Sequence, residues 1–193
     1  LASGQSYVYL MGHFPAPWGN EIRAGVLEGV LATFFCAIML LALVGGLRYI
    51  ARDIESSKRN LYFIMVDLLL ASLLALIYTN DLFTAYVFVE INTIAACGMI
   101  MIRQIGRTYV AAARYMVMSL LGSGLFLISL STLYGLTGQL LMTPAQEAVA
   151  ALRASGQYME PLTVTIALMT VGLAIKSGLY PFHSWMPETY GYS

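Results

Sequence analysis

Apolar residues run along this chain in five long blocks separated by short polar stretches. The first block is uninterrupted from Gly29 to Leu47 and, with its flanks, predicts a helix over about 24–50. A polar stretch, RYIARDIESSKRN, follows it, and the next block predicts a helix over 61–79. Asn80-Asp81 reads as a tight turn into a third helix over 82–102, which Arg103 and Arg107 close. A fourth helix is expected over 110–136 and a fifth over 162–180. Crossing a hydrocarbon layer about 30 Å thick takes about 20 residues at about 1.5 Å each, so every block is long enough to span a bilayer.

Two segments do not fit that pattern. The N-terminal LASGQSYVYLMGHFPAPWGNEIR is too polar, and too interrupted by Pro15, Pro17 and three glycines, to span. It reads as an external loop or short hairpin over 1–23, leaving 24–193 as the transmembrane domain, and His13 reads as an ordinary loop histidine. The connection over 137–161 holds an amphipathic piece from Pro144 to Ala154, with proline at a helix start. It reads as a surface helix lying on the membrane or on a neighbour.

Composition turns the pattern into a statement about solvent. Hydrophobic residues make up 59% of the chain and charged residues 10%, with a mean hydropathy of +0.75, against about 25% charged in a soluble domain. The fold class is therefore an all-α membrane protein, a bundle of about five transmembrane helices, with the lipid bilayer as its first partner. Ten basic and ten acidic residues balance, which gives no reason to expect nucleic acid. Cys36 and Cys97 both fall inside apolar blocks, where a thiol behaves as a small hydrophobe, so neither a disulfide framework nor a metal site is expected. No haem, flavin or iron–sulfur ligand set is present to suggest a cofactor. Basic residues sort by alternate connection: Arg48, Arg52, Lys58, Arg59, Arg103 and Arg107 on one side, Arg23 and Arg153 on the other. The positive-inside rule then puts the 48–60 and 103–109 loops in the cytoplasm, and the N-terminal stretch and 137–161 outside.

Ionisable residues inside the blocks are the candidate chemistry, because a charge in hydrocarbon persists only where something compensates it. Lys176 lies fourteen residues past Leu162, about 21 Å along a helix, where insertion costs roughly 2.5 to 3.5 kcal/mol. It needs a water-filled cavity, a carboxylate partner or loss of its proton, and a lysine that can lose its proton is a candidate proton carrier. Glu90, eight residues past Leu82 and about 12 Å deep, has Asn92 and Thr93 beside it. It is either a carboxylate on the same path or a protonated glutamate bonded to a neighbouring helix. Asp67, six residues past Leu61, divides between a buried accessory and an interfacial or packing aspartate. Arg114 sits near the cytoplasmic end of the fourth helix, where its stem can snorkel out, and Glu28 reads as an interfacial acid.

His183 follows Lys176 by seven residues, two helical turns, but Pro181 intervenes and removes a backbone hydrogen bond. The fifth helix is therefore expected to break between about 174 and 181. Irregular backbone at membrane depth is buried in protein or lines a cavity, so His183 either passes protons along internal water or anchors the interface beside Trp185. Ser119, Gly122, Ser123, Gly124, Gly172 and Gly178 read as packing residues that let helices approach closely.

The segments FVEINTIAACGMI, AAARYMVMSLLGSGLFLISLSTLYGLTG and GLAIKSGLYPFHSWMPETYGYS together resemble the antiporter-like, proton-translocating membrane subunits shared by respiratory complex I, membrane-bound hydrogenases and Mrp-type multisubunit sodium/proton antiporters. The resemblance runs from about Tyr9 to the end, and its most specific part is K-x-x-x-x-P-x-H-x-W-x-P, Lys176 to Pro187. It implies that Glu90 and Lys176 are the essential glutamate and the broken-helix lysine of one repeat. With His183 they make the expected proton path, and Asp67 and Arg114 stand as accessories. Arg114 replaces the lysine usual in relatives, and arginine does not deprotonate in proteins.

The resemblance also implies a fragment, since family members built on repeated elements run to about fourteen helices and this chain opens on Leu1. The implied function is translocation of protons, or of sodium and protons. The chain would act beside other membrane subunits of a multisubunit antiporter or of a respiratory or hydrogenase complex, in the cell inner (plasma) membrane. The alternatives are a quinone-associated subunit of a redox complex and a structural anchor with no ion path of its own. No catalytic site appears in the chain, so an oxidoreductase label would come only through such a complex.

Overall fold

The structure, a computed structural model, describes residues 6–15 and 19–192; Ala16, Pro17 and Trp18 of the N-terminal stretch lie outside the described residues. Two short strands, β1 (Tyr7–Leu10) and β2 (Glu21–Ala24), pair antiparallel with Tyr7 opposite Ala24 and Leu10 opposite Glu21. The bundle follows as α1 (Val26–Asp53), α2 (Ser56–Tyr78), α3 (Leu82–Met101), α4 (Gly106–Thr137), α5 (Met142–Ser155) and α6 (Met159–Lys176). After a single 3-10 turn at His183–Trp185 comes the short α7 (Met186–Tyr192). Five of these helices, α1 to α4 and α6, are long and apolar enough to cross a membrane.

Helix ends depart from the apolar pattern where polar residues satisfy the terminal backbone groups. α2 starts at Ser56 rather than 61, because Lys58 pairs with Glu55 at 3.0 Å and the Arg59 guanidinium donates to the Ile54 carbonyl at 3.2 Å. That carbonyl stands at the end of α1, where carbonyls lack helical partners. α6 starts at Met159 rather than 162, with Pro161 in its first turn, where a missing N–H costs nothing.

The larger correction is at the other end of α6, which stops at Lys176 rather than running to 180. Gly178 takes a left-handed φ of +64°. The Leu179 N–H donates to the Ala174 carbonyl at 3.0 Å, and the Gly178 N–H to the Ile175 carbonyl at 3.2 Å. This pair of bonds around a left-handed glycine is a helix-ending motif. Pro181 stands three residues further on, too late to set the end.

At one end of the bundle the connections are stitched together. The Asn80 side chain donates to Glu21 at 2.6 Å, its N–H to the Glu21 carbonyl at 2.9 Å, and the Thr84 hydroxyl to Asn20 at 2.6 Å. Asp81 caps α3 by accepting from the Thr84 N–H at 2.7 Å. Met142 N–H bonds the Asn80 carbonyl at 3.0 Å, tying the start of α5 to the same turn. Thr79, Asn80 and Asp81 are buried, so these bonds meet the requirement that buried polar groups be paired. The hairpin, the 79–81 turn and α5 thus form one cap.

α4 is the hub, packing on α3, α5, α6 and α7, while α2 lies between α1 and α3. Ala32 alone is buried on α1 among the described residues, and Leu27 and Leu41 are 67% and 71% exposed. An apolar rod exposed along its whole length is at home in lipid, where apolar side chains face a solvent of their own kind.

Candidate functional site

The site begins with the close crossing of α4 and α6. A Cβ placed on Gly172 would lie 2.7 Å from the Gly122 carbonyl oxygen and 2.9 Å from the Phe126 nitrogen. Only glycine fits, and the two backbones touch. One helical turn beyond Gly172, Lys176 then comes level with Ser119 and Ser123 of α4 and reaches across to α3. Its Nζ donates to Glu90 Oε1 at 3.2 Å and to Thr93 Oγ1 at 2.6 Å. Glu90 and Thr93 share a face of α3 because they stand three residues apart. Thr93 is fixed by donating its own proton back to the Val89 carbonyl at 2.8 Å, which leaves a lone pair for the ammonium. The Ser123 hydroxyl also meets Glu90 Oε1, and its single proton has a second acceptor in the Ser119 carbonyl at 2.8 Å.

Burial and backbone direction explain why two charges remain there. The Lys176 side chain is 14% exposed and that of Glu90 20%, so each needs the other. Lys176 is also the last residue of α6, where the negative end of the helix dipole favours a cation. At 3.2 Å and an effective dielectric of about 20 the pair attracts by about 5 kcal/mol.

A cavity of about 680 Å³ reaches Lys176 of this pair. Lys176, Thr93, Asn92, Ser119 and Tyr115 line its deep part, and Asp53 and Arg103, at the ends of α1 and α3, line the opposite part. Two of the three Nζ donors of Lys176 are used within the protein, and the ammonium borders this space. The arrangement can hold a proton on a lysine, exchange it with a carboxylate, and connect the lysine through a cavity to the end of the bundle where the basic loops lie.

The other candidates are placed differently. Asp67 is exposed on α2. The cavity-lining face of that helix carries Tyr62, Leu69, Leu73 and Leu76, and Asp67, five residues past Tyr62, is turned about 140° from it. His183 is exposed, with its ring stacked on Tyr180 at 5.7 Å. The two-turn spacing from Lys176 fails because the chain leaves the α6 axis at Gly178. Arg114 does not snorkel alone; it pairs with Glu188 of α7. Sequence reasoning passed over Glu188, which follows Pro187 directly, and read Ser123 only as a packing residue. The three-residue spacing of Glu90 and Thr93 was the one signal that pointed to the hydroxyl shell.

The family model described as "NADH:quinone oxidoreductase/Mrp antiporter, TM" matches residues 79–193. Among curated proteins, NADH-quinone oxidoreductase subunit N of Desulforudis audaxviator is 32% identical over 195 residues, covering 100% of this chain and 37% of that protein. An Na(+)/H(+) antiporter subunit of Bacillus subtilis is 28% identical over 180 residues, covering 93% of this chain and 35% of that protein. Among solved structures, a chain of an archaeal membrane-bound sulfane sulfur reductase matches with a TM-score of 0.83 at 26% identity, covering 100% of this chain and 38% of that one. A chain of the Mrp complex from a Dietzia species matches with a TM-score of 0.78 at 23% identity, over 98% of this chain and 34% of that one, and supports the fold. The chain thus spans 37% and 35% of the length of these two curated relatives. With five apolar helices arranged as in those complexes, this is a multi-pass membrane protein, and it belongs to the NADH:quinone oxidoreductase/Mrp antiporter transmembrane family.

Proposed function

We propose that this chain carries one proton-translocating site of a membrane subunit, with Lys176 as the carrier and Glu90 as the carboxylate that holds its proton. The observation that carries the reading is the ammonium of Lys176 between Glu90 and Thr93, at 3.2 and 2.6 Å, beside a cavity leading toward Asp53 and Arg103. Coulomb attraction falls with distance, so a move of Lys176 from 3.2 Å to about 4.2 Å weakens the pair by about 1.2 kcal/mol at a dielectric near 20. Loosening the pair therefore favours release of the proton, and restoring it favours uptake. Small motions of α6 at its broken end are enough to work the site.

In this reading the end bearing Arg48, Arg52, Lys58, Arg59, Arg103 and Arg107 faces the cytoplasm, and the cavity is the cytoplasmic access to Lys176. The protein works in the plasma membrane beside other membrane subunits and moves protons, with sodium as the counter-ion where the assembly is an antiporter. The curated relatives named for an Na(+)/H(+) antiporter and for an NADH-quinone oxidoreductase support that setting. Asp67 and His183 stand outside the pair and belong, at most, to later steps.

Glu90→Gln and Lys176→Ala, made in the full-length protein and assayed in sealed vesicles per unit of assembled protein, should each abolish or strongly reduce proton transport. Glu90→Asp should keep part of it, since the charge is withdrawn by one methylene only. Normal transport in both of the first two variants would end this reading.

A further inference from the structure

We propose that Arg114 and Glu188 are positioning residues that latch α7 onto α4 and so complete the wall of the cavity beside Lys176. In what it says of transport, this rests on the reading above. Neither residue touches Lys176; both act through α7. That helix has seven residues, too few to persist by its own hydrogen bonds, and it follows a break at Gly178. Something on α4 must hold it.

Two side-chain contacts with α4 stand out among the described residues. Trp185 packs on Tyr115 with ring centroids 5.2 Å apart, but its indole N–H is buried without a hydrogen-bond partner among the described residues, and an unpaired buried donor opposes docking. The Arg114–Glu188 pair has no such penalty. Arg114 stands eight residues into α4, about 12 Å along it, where an arginine on a spanning helix needs a counter-charge. Glu188 is the carboxylate α7 brings to it. Trp185, Thr189 and Tyr190, held in place by this docking, line the same cavity as Lys176. With the latch closed, the cavity is walled on the α7 side; with it released, α7 lifts from α4 and the space beside Lys176 opens sideways.

The test uses a buried reporter, Thr189→Cys, in the full-length protein in native membranes, with Cys36 and Cys97 replaced by alanine. The rate of reaction with a thiol reagent too bulky to enter the cavity reads α7 opening whether or not protons move. Arg114→Gln and Glu188→Gln should each raise that rate about tenfold, the change that about 1.4 kcal/mol produces. The exchanged pair Arg114→Glu with Glu188→Arg should return it to within about twofold of the parent. Proton transport should fall in the single variants and recover in the exchanged pair, a recovery that a merely bulky or polar role would not give.

If the single variants fail to assemble, Arg114→Lys and Glu188→Asp serve instead. Both keep the charges in weaker geometry and should label about two- to threefold faster than the parent. Unchanged labelling in whichever set assembles overturns the latch. Labelling as expected, together with normal transport in both Glu90→Gln and Lys176→Ala, keeps the latch and ends the Glu90–Lys176 reading.

Discussion

Two ion pairs that join helices among the described residues are built from opposite materials. Lys176 and Glu90 join α6 to α3 with side chains 14% and 20% exposed, and hydroxyls of Thr93 and Ser123 complete the shell. Arg114 and Glu188 join α7 to α4 with side chains 59% and 32% exposed. The inner pair uses a lysine, a compact charge that gives up its proton when its surroundings change; the outer uses an arginine, which keeps its charge and offers a rigid fork of donors. A proton carrier needs the first kind of residue and a fixed strut the second. The same broken span carries one member of each pair, Lys176 before Gly178 and Glu188 after it.

The largest effect that would break the comparison is on the inner pair. Removing one member leaves a buried charge that escapes by neutralising, which from reference values at pH 7 costs about 3.7 kcal/mol for a glutamate and about 4.6 kcal/mol for a lysine. Glu90→Leu or Lys176→Met alone should therefore destabilise by up to about 4.6 and 3.7 kcal/mol respectively, while the two together should recover most of it, since buried pairs are replaceable by apolar residues. Proton transport should stay absent in the double variant. Denaturant titration of the purified assembly reads the first quantity and vesicle assays the second. A double variant as unstable as the worse single one would mean the pair is not a closed unit.

The crossing that sets the inner pair is the next place to press. Gly172→Ala puts a methyl 2.7 Å from a carbonyl oxygen and 2.9 Å from a backbone nitrogen, neither of which can swing aside. Overpacking of this kind costs about 1–3 kcal/mol, and here it also pushes Lys176 away from α3. Transport should fall more than stability does. Gly135→Ala, where a Cβ meets nothing within 4 Å, is the control, and equal effects at both positions would show that the crossing does not position Lys176.

Much of this is legible in the sequence, and the reasons are physical. Hydrocarbon imposes a length and forbids unpaired charge, so apolar blocks mark the five spans, and Glu90 and Lys176 stand out as the charges inside them. The break is legible too, although Pro181 draws the eye while Gly178 ends the helix. What stays hidden depends on which way a helix is turned. Asp67 and Glu90 look alike in sequence, each a lone acid six or eight residues into a block, but one lies on the exposed face of α2 and the other faces α6. Glu188 is hidden for a related reason: its partner is 74 positions away, and only the redirection of the chain after Gly178 brings them together.

Thr93→Val sharpens the inner pair by a smaller step. It keeps the shape and removes the hydroxyl that accepts from Lys176 at 2.6 Å. A hydrogen bond to a charged group contributes about 1.5–3 kcal/mol, and the lost acceptor should slow transport several-fold without abolishing it, because Glu90 remains. Thr93→Ser should behave as the parent. Abolition by Thr93→Val with the assembly intact would mean that the hydroxyl carries the proton itself rather than only holding the ammonium.

The smallest expected effect is at Asp67, and it tests whether facing, rather than membrane depth alone, decides which acid does the work. Asp67 is about 9 Å into its apolar block and Glu90 about 12 Å, so a rule based on depth treats them as near equals. The geometry does not. Asp67 makes no hydrogen bond or ion pair among the described residues and points about 140° away from the cavity-lining face of α2. Asp67→Asn, which keeps the shape and removes the charge, should therefore leave transport within about twofold of the parent and stability within about 0.5 kcal/mol, whereas Glu90→Gln removes transport. Transport lost in Asp67→Asn to the same degree as in Glu90→Gln would show that another helix covers that face of α2 and brings it a charged partner, and that the site extends across the bundle to it.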